Sequence, residues 1–163
     1  MSRPKVGAIG ALILVAFILT CISMFTDNWI VFSGAGIGNF LGVGIVPYKS
    51  GAASWFKAAS IMMYISFGLF FPLALIYLHG SYKVYHHGCC HSIRHNFHGI
   101  SLICSIIVVL QAVAFILMAV NASNYSLYLS ESVGSSGYLA LSSAIITTVA
   151  MALSGHVSRH DCH

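Results

Sequence analysis

Apolar residues run through this chain in four long blocks separated by shorter, more polar stretches. The blocks are Gly7 to Phe25, about Ala58 to Leu78, about Gly99 to Val120, and Gly137 to Gly155, the last being the least apolar. A helix needs about 20 mainly apolar residues to cross the hydrocarbon of a bilayer, and each block meets that length. None contains Asp, Glu, Lys, Arg or His. Arg3 and Lys5 ahead of the first block suggest a signal peptide, but the block is long for an apolar signal core. No A-x-A-like cleavage site follows it, so it is expected to remain as a helix.

The pattern predicts one membrane domain over residues 1–163, with helices at about 7–25, 58–78, 99–120 and 137–155. Loops 26–57 and 121–136 fall on one side and loop 79–98 on the other. With the N-terminus in the cytoplasm, the inner side holds Arg3, Lys5, Lys83, Arg94 and Arg159, and the outer side holds only Lys49 and Lys57. Basic residues concentrate on the cytoplasmic side of membrane proteins, which places both termini inside. The outer loop 121–136 then carries two overlapping N-glycosylation patterns, at Asn121 and Asn124.

Composition narrows the class further. The chain is 58% hydrophobic and only 6% charged, where soluble domains carry roughly a quarter charged residues. That excludes a water-soluble fold. A formal charge of +4, spread thinly, gives no cationic face for nucleic acid. The three acids, Asp27, Glu131 and Asp161, all lie outside the apolar blocks, so no convergent acid–base pair exists and no enzyme or cofactor is expected.

The loops carry the remaining signals. Trp29 to Phe32 and Phe40 to Val46 are β-prone runs around the glycine-rich Ser33–Gly38, which predicts a hairpin. Two strands alone are marginal, and Ser126 to Ser130 can supply a third. Trp29, Tyr48, Trp55 and Phe56 fall at the outer boundary, where amphipathic rings anchor in the interface. Trp29, Phe40, Tyr48 and Trp55 are also candidates for contact with an extracellular partner. Gln111 is the one amide in mid-membrane and is expected to face another helix. Small residues every fourth position, Gly7 and Ala11 in the first block and Ala140, Ala144, Thr148 and Ala152 in the fourth, suggest that these two helices are neighbours. Pro72 predicts a kink.

The inner loop reads Tyr85-His-His-Gly-Cys-Cys-His91 and continues to His98, and the C-terminus adds His156, His160 and His163. Such density invites metal binding, yet no standard ligand spacing is present. Juxtamembrane Cys89 and Cys90 are candidates for S-palmitoylation.

Two motifs add a family resemblance. Asn28-Trp-Ile-Val31 closing the first helix, and Ser54-Trp-Phe-Lys-Ala58 leading into Ile61-Met-Met-Tyr-Ile-Ser66, resemble the peripheral myelin protein and epithelial membrane protein branch of the claudin superfamily. The resemblance implies an all-α membrane protein, a left-handed bundle of four transmembrane helices capped by a small extracellular β-sheet. The chain departs from the family hallmark: Gly38-Asn-Phe-Leu41 lacks the Trp, and no cysteine lies in either external loop. Without the external disulfide, the resemblance carries the fold but not paracellular strand formation. The functional expectation is therefore a non-catalytic plasma-membrane protein. It would act as an accessory subunit packed in the lipid bilayer against a larger channel or receptor, or as a homo-oligomer. The alternatives are a cell–cell adhesion or junction-organising protein and, behind that, a small transporter or metal-binding membrane protein.

Overall fold

The computed structural model describes residues 3–34, 37–48, 50–87, 91–122 and 130–160. The four apolar blocks become helices α1 (Arg3–Phe25), α2 (Ser54–His87), α3 (His91–Ala122) and α4 (Ser135–His160). All four are long and apolar enough to span a membrane. Their buried positions follow a common rhythm. On α1 these are Val6, Ile9, Ile13, Ala16, Thr20 and Ser23; on α3 they are Phe97, Ile100, Cys104, Ile107, Gln111, Ala114 and Met118. On α4 they are Ser136, Ala140, Ser143, Thr147, Ala150, Ser154 and Val157. Steps of three and four alternate along these rows, as they do on α2, with Met24, Ser60, Ala144 and Ser158 buried beside them. This is the heptad period whose mismatch with 3.6 residues per turn prescribes a left-handed supercoil.

The outward faces are at least as apolar as the inward ones. Leu14, Ile18, Leu75, Leu102, Val109 and Ile145 are exposed, whereas Thr20, Ser66, Gln111, Ser143 and Thr147 are buried. Lipid is a good solvent for Leu and Ile, so the hydrophobic effect does not drive them inward. Small and polar side chains occupy the helix contacts instead. The helices pack in the cyclic order α1, α4, α3, α2, and the closing contact between α1 and α2 is the loosest.

Two helices outrun their apolar blocks. α2 has 34 residues and α3 has 32. At 1.5 Å per residue α2 is about 51 Å long, against about 30 Å of hydrocarbon. The stretch 79–98, expected as a loop, is instead mostly a helical hairpin, and only residues 88–90 between the helices lie outside the described residues. The hairpin continues because its packing does: Val84 and Phe97 are buried, and Gly80 faces Asn96. Hydropathy marks where lipid ends, not where a helix ends. Pro72 lies within α2 on the exposed side, and the helix runs through it.

At the other end, β1 (Ile30–Gly34), β2 (Ile37–Val43) and β3 (Ser130–Val133) form an antiparallel sheet in the order β2-β1-β3. Ile30 pairs with Val43 on one side and Val133 on the other. The expected hairpin is present, with Gly34 opposite Ile37. The third strand begins at Ser130, where the run expected to supply it ends, and residues 123–129 lie outside the described residues. Under the sheet, Met24, Trp29, Ile30, Ile45, Phe56, Met63 and Met118 form an apolar core distinct from the one at mid-bundle.

Candidate interaction surfaces

The segment that leaves α1 joins the sheet to the bundle. Trp29 Nε1 donates to the Ser23 carbonyl at 2.7 Å, and Ser23 Oγ donates to the Ser136 carbonyl at 2.7 Å. The Trp29 amide donates to the Val43 carbonyl, and the Trp29 carbonyl accepts from the Gly134 amide at 2.9 Å. Trp29 is 0% exposed. It was expected as an interfacial anchor or a partner contact, but it has no surface to offer either. Its indole is internal because it packs in the apolar core under the sheet, with Nε1 turned to the end of α1. A Cβ on Gly134 would strike the Asn28 carbonyl oxygen, and one on Gly42 would strike that of Asp27. Glycine at these two sites lets β2 and the β3–α4 corner close on residues 27–28.

Of the other expected contact residues, Tyr48 is 48% exposed beside the sheet. Trp55 is half-buried, with its ring edge-on to Phe56 at 5.8 Å between centroids. Phe40 lies on β2, and its side chain is outside the described residues. The candidate sites therefore do not converge. Tyr48 is the one described side chain among them that is exposed at the capped end.

Asn121 sits in the last turn of α3, its Nδ2 donating to the Leu117 carbonyl at 2.8 Å. Asn124, Cys89 and Cys90 lie outside the described residues. At the end opposite the sheet, His79, His95, His98 and His156 are exposed. His98 Nδ1 lies 3.5 Å from Ser158 Oγ. Among the described residues no group of three or more His, Cys, Asp or Glu is arranged to hold a metal ion.

Gln111 is wholly buried, and its Nε2 donates to Thr20 Oγ1 at 3.0 Å. Thr20 Oγ1 lies 2.7 Å from Ser143 Oγ, which donates to the Ala16 carbonyl at 2.8 Å. α1, α3 and α4 are thus tied by hydrogen bonds in mid-membrane. The expected adjacency of α1 and α4 holds, and Ala140 and Ala144 of the expected stripe are buried, whereas Thr148 and Ala152 are exposed. Gly7 and Ala11 are exposed, and nothing lies within 4 Å of where a Gly7 Cβ would be. A strict four-residue spacing drifts off the contact line, whereas Ile9, Ile13, Ala16, Thr20 and Ser23 stay on it.

The α1–α2 face has a different character. Phe17 stacks on Phe67 at 5.6 Å with a 16° interplanar angle, and Phe71 meets both rings edge-on. Below them Tyr77 reaches across Gly10 and donates to the Val6 carbonyl at 3.0 Å. A Cβ on Gly10 would run into that ring. Between these two bridges lies a groove of about 360 Å³, bordered by Leu14, Phe17, Phe70, Phe71, Ala74 and Leu78. Leu14 is 59% and Phe71 54% exposed, so the groove opens toward lipid. The sequence contains these aromatics, but only the packing shows that they frame a concavity.

Comparison with known families gives one finding that spans all these features. A family model described as tight junction protein, claudin-like, matches residues 1–163. No curated protein matches the chain.

Proposed function

The chain belongs to the claudin-like family of tight junction proteins, and we propose that it serves as a non-catalytic accessory subunit, packed sideways against a larger membrane protein such as a channel or receptor. The sheet end faces the cell exterior and both termini face the cytoplasm of a plasma-membrane protein. The excess of Arg and Lys at the sheet-free end supports this orientation.

The observation that carries the reading is the groove on the α1–α2 face. Helices already dissolved in lipid gain nothing by hiding apolar surface from one another. They associate through shape and close packing. A concavity framed by fixed aromatic rings offers a partner helix such a shape, whereas large exposed side chains on α3 and α4 such as Leu102, Val109 and Ile145 are solvated equally well by lipid. The external loops bear only Asp27, Lys49, Lys57 and Glu131 as charged residues, too weak a field for selecting ions.

Mild-detergent extraction of native membranes followed by affinity purification tests the proposal. A stoichiometric larger membrane protein is expected with the wild type and is lost on Ala74→Phe, which fills the groove. Recovery of a solitary monomer argues against an accessory role. A second reading, junction organisation, draws on the family's description and on the exposed Tyr48 at the capped end. It expects a tagged copy to concentrate at cell contacts, and it expects Tyr48→Ala, not Ala74→Phe, to abolish that enrichment.

A further inference from the structure

Four polar side chains, one from each helix, lie in a single cross-section of the bundle. Thr20, Gln111 and Ser143 are joined there by hydrogen bonds. Ser66 on α2 reaches the same level by two registers. Gly80 faces Asn96 across the α2–α3 hairpin. Fourteen residues toward the sheet on α2 lead to Ser66, and fifteen on α3 lead to Gln111, a mismatch of about 1.5 Å. Independently, the stacking of Phe17 on Phe67 sets Ser66 beside the Thr20 turn of α1. All four side chains are 0% exposed.

Two oxygens in this layer, Ser66 Oγ and Gln111 Oε1, have no hydrogen-bond partner among the described residues. With Gln111 Nε2 turned to Thr20, no hydroxyl proton of α1 or α4 is left for Oε1. Ser143 gives its hydroxyl proton to the Ala16 carbonyl, and Thr20 gives its own to Ser143 Oγ or to the same carbonyl. Thr147 gives its proton to the Ser143 carbonyl. The hydroxyl left at this level is that of Ser66. An amide carbonyl and a hydroxyl both stranded in hydrocarbon are costly, and buried polar pairs of this kind are characteristically completed by an ordered water.

We propose that this layer is a binding site for one buried water, which accepts from Ser66 Oγ–H and donates to Gln111 Oε1. A monovalent cation does not suit the same oxygens. All four side chains are neutral, no acid lies in any spanning segment, and a cation there would be uncompensated in a low dielectric. The water completes a hydrogen-bonded layer to which every helix contributes. A slip of any one helix by a single turn breaks that layer.

Gln111 is the only glutamine in the chain, so in uniformly 13C,15N-labelled protein its side-chain carbonyl gives one signal that reports on it alone. In water-edited solid-state NMR of the protein in phosphatidylcholine bilayers, magnetisation from water is expected to reach the Gln111 side-chain carbonyl while neighbouring Ile107 and Ala114 stay dark. In Ser66→Val the Gln111 signal should fall to their level. Should that variant fail to fold, the wild type still decides the matter, because transfer from water to the Gln111 carbonyl above the level of Ile107 and Ala114 is itself the predicted result. Two outcomes overturn the proposal. One is a Gln111 carbonyl as dark as Ile107, with the Ser66 hydroxyl bonded to it directly. The other is a carbonyl shift that titrates with sodium or potassium, which assigns the site to a cation.

Discussion

α1 has two helical neighbours and meets them in opposite ways. Against α4 it presents Ala16, Thr20 and Ser23, which meet Ser143 and Ser136 through hydrogen bonds across the contact. Against α2 it presents Phe17, stacked on Phe67, and a glycine crossed by Tyr77, with a groove between. The first contact is small, polar and closed; the second is aromatic, apolar and open. In a membrane it is the closed, polar contact that holds the fold, because hydrogen bonds and close approach are what lipid cannot replace. Apart from the Tyr77–Val6 hydrogen bond, the open seam contributes little that lipid would not, which leaves its shape available to a partner.

The sharpest way to break this contrast is to overpack the closed side. Ser143→Leu places a branched chain against Ala16 and removes a buried hydroxyl bonded to two groups. A cost of about 3 kcal/mol is expected from strain and lost hydrogen bonds together, read as early unfolding in an SDS titration. Gly134→Ala ranks next, because the Asn28 carbonyl occupies the space a Cβ needs. A loss of about 2 kcal/mol is expected, with the sheet end released first in hydrogen exchange. Gln111→Leu should cost less, about 1 kcal/mol, since interhelical hydrogen bonds in membranes are individually modest. Ala74→Phe on the open seam should change stability by under ~0.5 kcal/mol while abolishing partner recovery. At the bottom of the scale, changing Cys89 and Cys90 to Ser should leave folding untouched. It should remove the mass shift that acyl exchange is expected to reveal on the wild type.

How far the sequence discloses this contrast depends on what distinguishes the two sides chemically. The spans are legible because residues such as Leu14 and Ile145 need only lipid, and four blocks without charge announce that directly. The same fact hides which face turns inward: an α1 core residue such as Ile9 and a lipid-facing one such as Ile18 are the same residue type. Polar residues are the exception, and Gln111 is readable as an interhelical contact for that reason. Its partners are not readable, since choosing Thr20 and Ser143 over Ser105 or Ser142 requires the heptad register. Trp29 misleads because an indole suits a membrane interface as well as a core, and its burial depends on a core under the sheet that assembles only in three dimensions. The seam is the least legible of all. Phe17, Phe67, Phe70 and Phe71 look like ordinary membrane residues until their ring geometry is known.

Placing a photo-crosslinking amino acid at one lipid-facing position at a time in living cells tests lateral association through the seam most directly. From Phe71, beside the groove, the account predicts one discrete adduct with a larger membrane protein, absent when Ala74→Phe is added; from Ile145, on the outer face of α4, it predicts lipid adducts alone. Lipid adducts alone from both positions, or a protein adduct from Ile145 that survives Ala74→Phe, would contradict it.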